Sequence, residues 1–359
     1  MISEKSFSVD WIIHKDKTKR GQTEIIEKVI YAFHLLESLS LLNIDFIFKG
    51  GSSLLLHFNS FHRFSVDIDI LISEDNYAKL VEALNHHSNS RFIHVAEDIR
   101  KPSHIQKHHF KFYYQSVIRP NTEVLSYVLL DIVVDDNPYT KLIKRDIAFD
   151  LLDMVLPLQS INIPSVEEML GDKLTAFAPN TIGIRYKDMK YTEIIKQLFD
   201  CSKLYSVCQD YDLVKRTYIE ISKREIKYRE LKGVEFSHCL RDSLDTCKLI
   251  LSDGKSGDYE NYKLLKKGIT GFGNFTTTSF GIHDAVVCAM NVYRCLVILV
   301  CGSKENFLSH LYLFDEREAK ALFLNKTQVK NLRIISGLLY REFLETIWVE
   351  NEIIELGTI

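Results

Sequence analysis

The run Phe46-Ile47-Phe48-Lys49-Gly50-Gly51-Ser52-Ser53, followed by Val66-Asp67-Ile68-Asp69-Ile70, leaves this chain few ways to fold. A short apolar strand stops at paired glycines, a helix starts there, and a second strand carries two aspartates. Side chains alternate faces along a strand, so Asp67 and Asp69 project together while Val66, Ile68 and Ile70 fill the other side. Two adjacent carboxylates repel unless a cation lies between them. Mg²⁺ favours such oxygen ligands, with room left for substrate phosphates. Upstream, Gly50-Gly51-Ser52 offers backbone N–H groups at a helix N-terminus, a natural anion seat. A phosphate cradle beside a carboxylate pair points to phosphoryl or nucleotidyl transfer.

Two-metal transfer needs a further acid to activate the attacking hydroxyl, and a neighbouring strand should supply it. Asp131 stands alone in the apolar run Leu129-Leu-Asp-Ile-Val-Val134, where burial without a cation or partner would be costly. Asp135 and Asp136 read as turn residues.

The rest of the chain frames this motif. Residues 21–42 show helical periodicity. Strands are expected over Ile44–Phe48 and Val66–Ile72, with helices over Ser52–Phe58 and Tyr77–His86. His109–Gln115 and Leu125–Val134 alternate as antiparallel strands, and Leu156–Ile163 offers another strand or an extended connection. From Ser165 the pattern turns helical. Ser165-Val-Glu-Glu168 is a capping box, and further helices are expected near 189–209, 211–231, 235–252, 258–267, 282–300 and 328–346. The fold class is therefore α/β (α+β), a mixed sheet with flanking helices in residues 1–164. A mainly helical domain follows over 165–359.

Composition narrows the function classes. An apolar fraction of 46% and a charged fraction of 26% are those of an ordinary globular protein. No run approaches the roughly 18 apolar residues that span a bilayer, and Met1–Arg20 is too charged for a signal peptide. The expectation is a cytoplasmic protein without a membrane segment. All seven cysteines follow residue 200 with no Cys-x-x-Cys pair, which suggests reduced, buried thiols. A net charge of −3 neither demands nor excludes nucleic acid. Two basic patches, Lys15–Arg20 and the helix around Lys215, Arg216, Lys223, Arg224, Lys227 and Arg229, read first as solvated surfaces and second as RNA contacts. His104, His108 and His109, with His86, His87 and His94, lack regular ligand spacing; a surface hairpin outweighs zinc. Tyr113 and Tyr114 fit base stacking or sheet packing equally well.

The Gly-Ser turn followed by Asp-x-Asp resembles the nucleotidyltransferase superfamily that includes DNA polymerase β. The match is closer to the AbiEii/AbiGii family of toxin nucleotidyltransferases, through Lys49-Gly-Gly-Ser-Ser-Leu54 and Arg63-Phe-Ser65-Val-Asp67-Ile-Asp69. A second block, Gly171-Asp-Lys173-Leu-Thr-Ala-Phe-Ala-Pro-Asn-Thr-Ile-Gly183 and then Glu193-Ile-Ile-Lys196-Gln-Leu-Phe-Asp200, is similar to that family's second region. The resemblance covers roughly residues 10–205.

It implies a nucleotidyltransferase fold and a nucleotide site of Gly50, Gly51, Ser52, Ser53, Arg63, Lys173 and Asp200. Read onto these positions, Mg²⁺ (or Mn²⁺) would be held by Asp67, Asp69 and Asp131, and the catalytic set adds Lys173. Asp131 could take the acceptor's proton. Lys196 and Asp200 are also spaced to pair on one helix face. The resemblance further implies a toxin with an antitoxin encoded nearby, moving NMP from an NTP to an RNA acceptor such as tRNA with release of pyrophosphate. The helical domain would complete the nucleotide site and bind acceptor or partner. Modification of a small molecule or protein side chain, including Ser65, and a non-catalytic nucleotide-binding regulator stand as alternatives.

Overall fold

Ser8 accepts the Trp11 N–H and so caps the first helix, α1 (Val9–Lys15). The computed structural model, in which this is seen, describes residues 1–16, 22–60, 62–85, 91–100, 106–324 and 337–355. The chain divides into two compact units: Met1–Ser165 with Phe275–Thr278, and Val166–Asn274 with Ser279–Ile359.

In the first unit, α2 (Thr23–Ser40) follows, with Ile26, Val29, Ile30, Phe33 and Leu36 buried at helical spacing. Next come β1 (Ile47–Lys49), α3 (Gly50–Phe58), β2 (Asp67–Ile72), α4 (Glu74–Asn85), β3 (His94–Glu97), β4 (Gln106–Tyr114) and β5 (Ser126–Val134). The five strands form one sheet in the order β1-β2-β5-β4-β3. Strand β2 runs parallel to β5, and the other neighbours are antiparallel. Ile68, Ile70, Ile72, Val128, Leu130, Ile132 and Phe112 are buried on one face, in a core shared with α2. The mixed α/β class expected from the sequence is the class observed.

Two short strands escaped the sequence reading. Strand β3 has too few residues to show a period. Strand β6 (Leu142–Asp146) is polar, Leu-Ile-Lys-Arg-Asp, and pairs with β7 (Ser160–Pro164) in a separate ribbon. The extended segment expected from Leu156 therefore begins as a strand only at Ser160. Helices also start earlier than periodicity alone suggests, as with α4 at Glu74 and α3 at Gly50.

The second unit holds α5 (Val166–Ala176), α6 (Tyr191–Tyr205), α7 (Tyr211–Tyr228), α8 (Phe236–Leu251), α9 (Tyr259–Phe272), α10 (Ile282–Cys301), α11 (Lys304–Ser309), α12 (Glu316–Leu324) and α13 (Gly337–Glu355). Asp210 and Asp258 cap α7 and α9 through their side chains. Helix α10 corrects the expectation that no segment has membrane length, since it is long and apolar enough to cross a bilayer. Most of it is buried against α6, α8 and α13, which makes it the core helix of this unit. The seven cysteines are free and all but Cys301 are buried. Burial pushes the Cys288 thiol up to about 11 and Cys208 up to about 12, so these thiols stay protonated and inert. Of the helix expected over 328–346, residues 328–336 lie outside the described residues.

Buried Glu27 fastens α2 to the turn after β4. It accepts hydrogen bonds from the Ser116 hydroxyl (2.7 Å) and from the N–H groups of Val117 (2.7 Å) and Ile118 (3.4 Å). Desolvation holds its carboxyl above the usual range while these donors work the other way. Replacing Glu27 by Ala strands the donors and should cost about 2–4 kcal/mol. A fall in the urea midpoint at unchanged slope would register that loss.

Candidate active site

The strand register builds the site. Rungs of side chains cross the sheet on the face turned away from α2. On one rung, Lys49, Asp69, Asp131 and His109 are successive partners across β1, β2, β5 and β4. The next rung aligns Asp67, Leu129, Lys111 and Ala96. Asp67, Asp69 and Asp131 therefore share one face, with Asp69 and Asp131 directly opposite. Like charges so placed repel, and the buried face of the same strands holds them there.

Glycine at position 50 is a steric requirement. Its φ of +77° lies in the left-handed region. A Cβ there would stand 2.0 Å from Asp69 Oδ2. The backbone that opens α3 thus lies in contact with a carboxylate of β2. A Cβ on Gly51 would meet the Arg63 guanidinium at 2.6 Å and Ser65 Oγ at 2.7 Å. Arg63 is buried and donates to the Phe64 carbonyl. The segment around it is clamped by Phe275–Thr278 through the Phe64 N–H to Phe275 O bond and the Arg63–Thr276 bridge.

The serines are committed inward. The Ser52 hydroxyl donates to the Asp67 carbonyl at 2.6 Å, tying α3 to β2, and Ser53 donates to the Gly50 carbonyl at 2.9 Å. Both are fully buried. Any anion at this turn would meet backbone N–H groups rather than these hydroxyl protons.

Asp131 takes the His109 Nδ1–H at 2.5 Å, and the Arg100 guanidinium lies 4.0 Å away. His108, next along β4, points to the opposite face, stacks on Tyr77 and meets Glu97. The histidines thus split between two faces; His86, His87 and His104 lie outside the described residues. Lys28 was not singled out by the sequence. Burial holds its ammonium below the ordinary range, while nearby Asp67 opposes that shift. Its only sequence signal was a cation next to the apolar stripe of α2. Tyr114 is buried and stacked on Tyr31 at 3.6 Å, whereas Tyr113 stays on the site's face.

Lys173 and Asp200 meet within the helical unit, Nζ to Oδ2 at 2.8 Å, both buried. Gln197 also accepts from Lys173 at 3.3 Å, and Lys196 bonds Glu193 at 2.7 Å. Arg224 on α7 pairs with Glu220, and Arg229 at its C-terminal end pairs with Glu225, so these two members of the basic patch are compensated on their own helix face. Of the other patch, Lys17–Arg20 lie outside the described residues.

Residues 34–261 match the family model of the nucleotidyl transferase AbiEii toxin, type IV toxin–antitoxin system. The chain belongs to that family. The matched stretch holds the glycine turn, Asp67, Asp69, Asp131, Lys173 and Asp200. This AbiEii-family protein is a nucleotidyltransferase, and its type of system pairs a toxin with an antitoxin. No curated protein matches it. Among solved structures it is similar to JHP933 from Helicobacter pylori, at 12% identity and a TM-score of 0.40, over 86% of this chain and 97% of that one. A candidate nucleotidyltransferase of H. pylori aligns at 13% identity and a TM-score of 0.27, over 60% of this chain and 99% of that one.

The glycine contacts make distinct predictions. In Gly50→Ala the new methyl meets a carboxylate held by β2 and the backbone is strained. Displacing Asp69 by an ångström should cost about 100-fold in transfer rate. In Gly51→Ala the opposing atoms are ends of side chains, so the loss should be smaller; single-turnover rates compare the two. For the buried pair, Lys173→Ala should destabilise by about 3–5 kcal/mol by stranding Asp200, while Lys173→Met with Asp200→Leu should recover most of it. Inactivity of a well-folded double variant, measured by the same transfer assay, would mark a role for the pair beyond packing.

Proposed function

We propose that this AbiEii-family toxin transfers a nucleoside monophosphate from an NTP to a hydroxyl of an RNA acceptor such as tRNA, with release of pyrophosphate, in the cytoplasm. The observation that carries this reading is the site's rung: Asp69 opposite Asp131, Asp67 on the same face, and the Gly50 backbone against Asp69.

The donor set suits Mg²⁺ or Mn²⁺, being hard carboxylates on adjacent strands with no thiol among them. Among the described residues no group of three His, Cys, Asp or Glu side chains is already set to hold a metal ion, and Asp131 is bonded to His109. Asp67 and Asp69 would hold the metal, and Asp131 would join after giving up part of its bond to His109. When bound, such ions polarise the α-phosphate and offset charge on the attacking and leaving oxygens.

The chain's own groups supply the rest. Backbone N–H groups at Gly51 and the first turn of α3 face an anion better than the serine hydroxyls do. Gly50 keeps that turn close to Asp69. Arg63 braces the approach to β2. Asp131 would accept the acceptor hydroxyl's proton, with its bond to His109 orienting it.

The test incubates purified protein with Mg²⁺, each α-³²P-labelled NTP in turn, and total bacterial RNA, beside Asp67→Ala with Asp69→Ala. Label in small RNA with wild type alone is expected, at least about 1,000-fold above the double variant, as befits loss of the main electrostatic stabilisers. Label in protein or in a small molecule instead would transfer the reading to those acceptors. No label from any nucleotide would leave the regulatory alternative.

A further inference from the structure

Beyond the two rungs of the site, a third crosses the same face of the sheet. His94, Tyr113 and Tyr127 are successive register partners on β3, β4 and β5. The His94 and Tyr113 rings are stacked at 5.6 Å, and Tyr113 and Tyr127 lie 5.7 Å apart. Tyr127 remains 37% exposed and His94 is exposed. Two cations sit over the Tyr127 ring at one end of the row, Lys28 Nζ 4.6 Å and Lys111 Nζ 5.3 Å from its centre. Lys111 also pairs with Asp98.

Ring faces beside ammonium groups are what an unpaired nucleic-acid strand needs: the rings take bases, and the cations take phosphates. A cross-strand ladder also stabilises a sheet, as the buried Tyr31–Tyr114 stack does; this row differs in leaving His94 and Tyr127 exposed beside cations.

The row's place in the sheet separates two possible ligands. Tyr127 precedes Asp131 by four residues on β5, which at the strand rise is about 13 Å along the same face. The glycine turn lies at the β1 edge, on the other side of the carboxylates. In-line displacement sets the attacking hydroxyl opposite the leaving pyrophosphate. If the triphosphate's tail sits at the glycine turn, the acceptor must come from the β5–β4–β3 side.

We infer that the His94–Tyr113–Tyr127 row stacks the bases of a single-stranded acceptor end, just upstream of the hydroxyl that receives the nucleotide. This rests on the proposed transfer to RNA and names where its acceptor is held. It favours an acceptor with an unpaired terminus over a blunt duplex.

Full-length Tyr113→Ala with Tyr127→Ala would be compared with wild type and with Tyr113→Phe with Tyr127→Phe. Binding of a short fluorescein-labelled oligoadenylate RNA is read by anisotropy without NTP, and binding of a fluorescent NTP with Mg²⁺ is read separately. The alanine variant should bind RNA roughly 5- to 150-fold more weakly for each stacked base lost. The phenylalanine variant should match wild type, and NTP affinity should hold in both. Where wild type labels RNA, the alanine variant should raise the KM for RNA far more than it lowers kcat. Unchanged RNA binding and KM in a folded alanine variant would overturn the inference and leave the transfer reading standing. A loss of NTP affinity in its place would assign the rings to the incoming base and overturn it too. Failure of wild type both to bind and to label RNA would bring down the two together.

Discussion

The parallel pairing of β2 with β5 is the constraint on which the site depends. It sets Asp69 beside Asp131, an arrangement that electrostatics alone opposes. What holds it is the other face of the same strands, where Ile68, Ile70 and Ile72 lie beside Leu130, Ile132 and Val134 in the core under α2. A slip of one residue would bury the carboxylates and expose the isoleucines. At about 1.5–3 kcal/mol per buried large apolar side chain, those residues outweigh the repulsion between partly solvated carboxylates. The core therefore fixes the chemistry's geometry before any ligand arrives.

The same logic explains the glycine turn. Strand β1 pairs antiparallel with β2, so its end at Lys49 is carried toward Asp69. The chain must then turn into α3 within touching distance of that carboxylate, and only a residue without Cβ can do so. Ser52, bonded to the Asp67 carbonyl, locks the helix to the strand. Turn and carboxylate strand are thus tied to one another.

Much of this was legible in the sequence, because each part carried a local signal. Period-2 alternation put Asp67 and Asp69 on one face, Gly50-Gly51 announced the turn, and Asp131 stood out as a lone charge among apolar residues. The hidden part was pairing. Nothing in the order of residues says that His109 lies opposite Asp131, or that His94, Tyr113 and Tyr127 share a rung, because register joins segments far apart in the chain. Strand β3 was missed for its length and β6 for its polarity. Phe275–Thr278 joining the first unit has no local signature at all. The apolar length of α10 was passed over because charges interrupt it, and packing rather than composition defines its role.

The like-charge repulsion among the three carboxylates is met by their surroundings. Each has positive or donor groups nearby: Lys49 is the register partner of Asp69, Lys28 lies near Asp67, and His109 donates to Asp131. This ring of weak partners offsets part of the like-charge repulsion, yet none of them replaces a divalent ion in charge density.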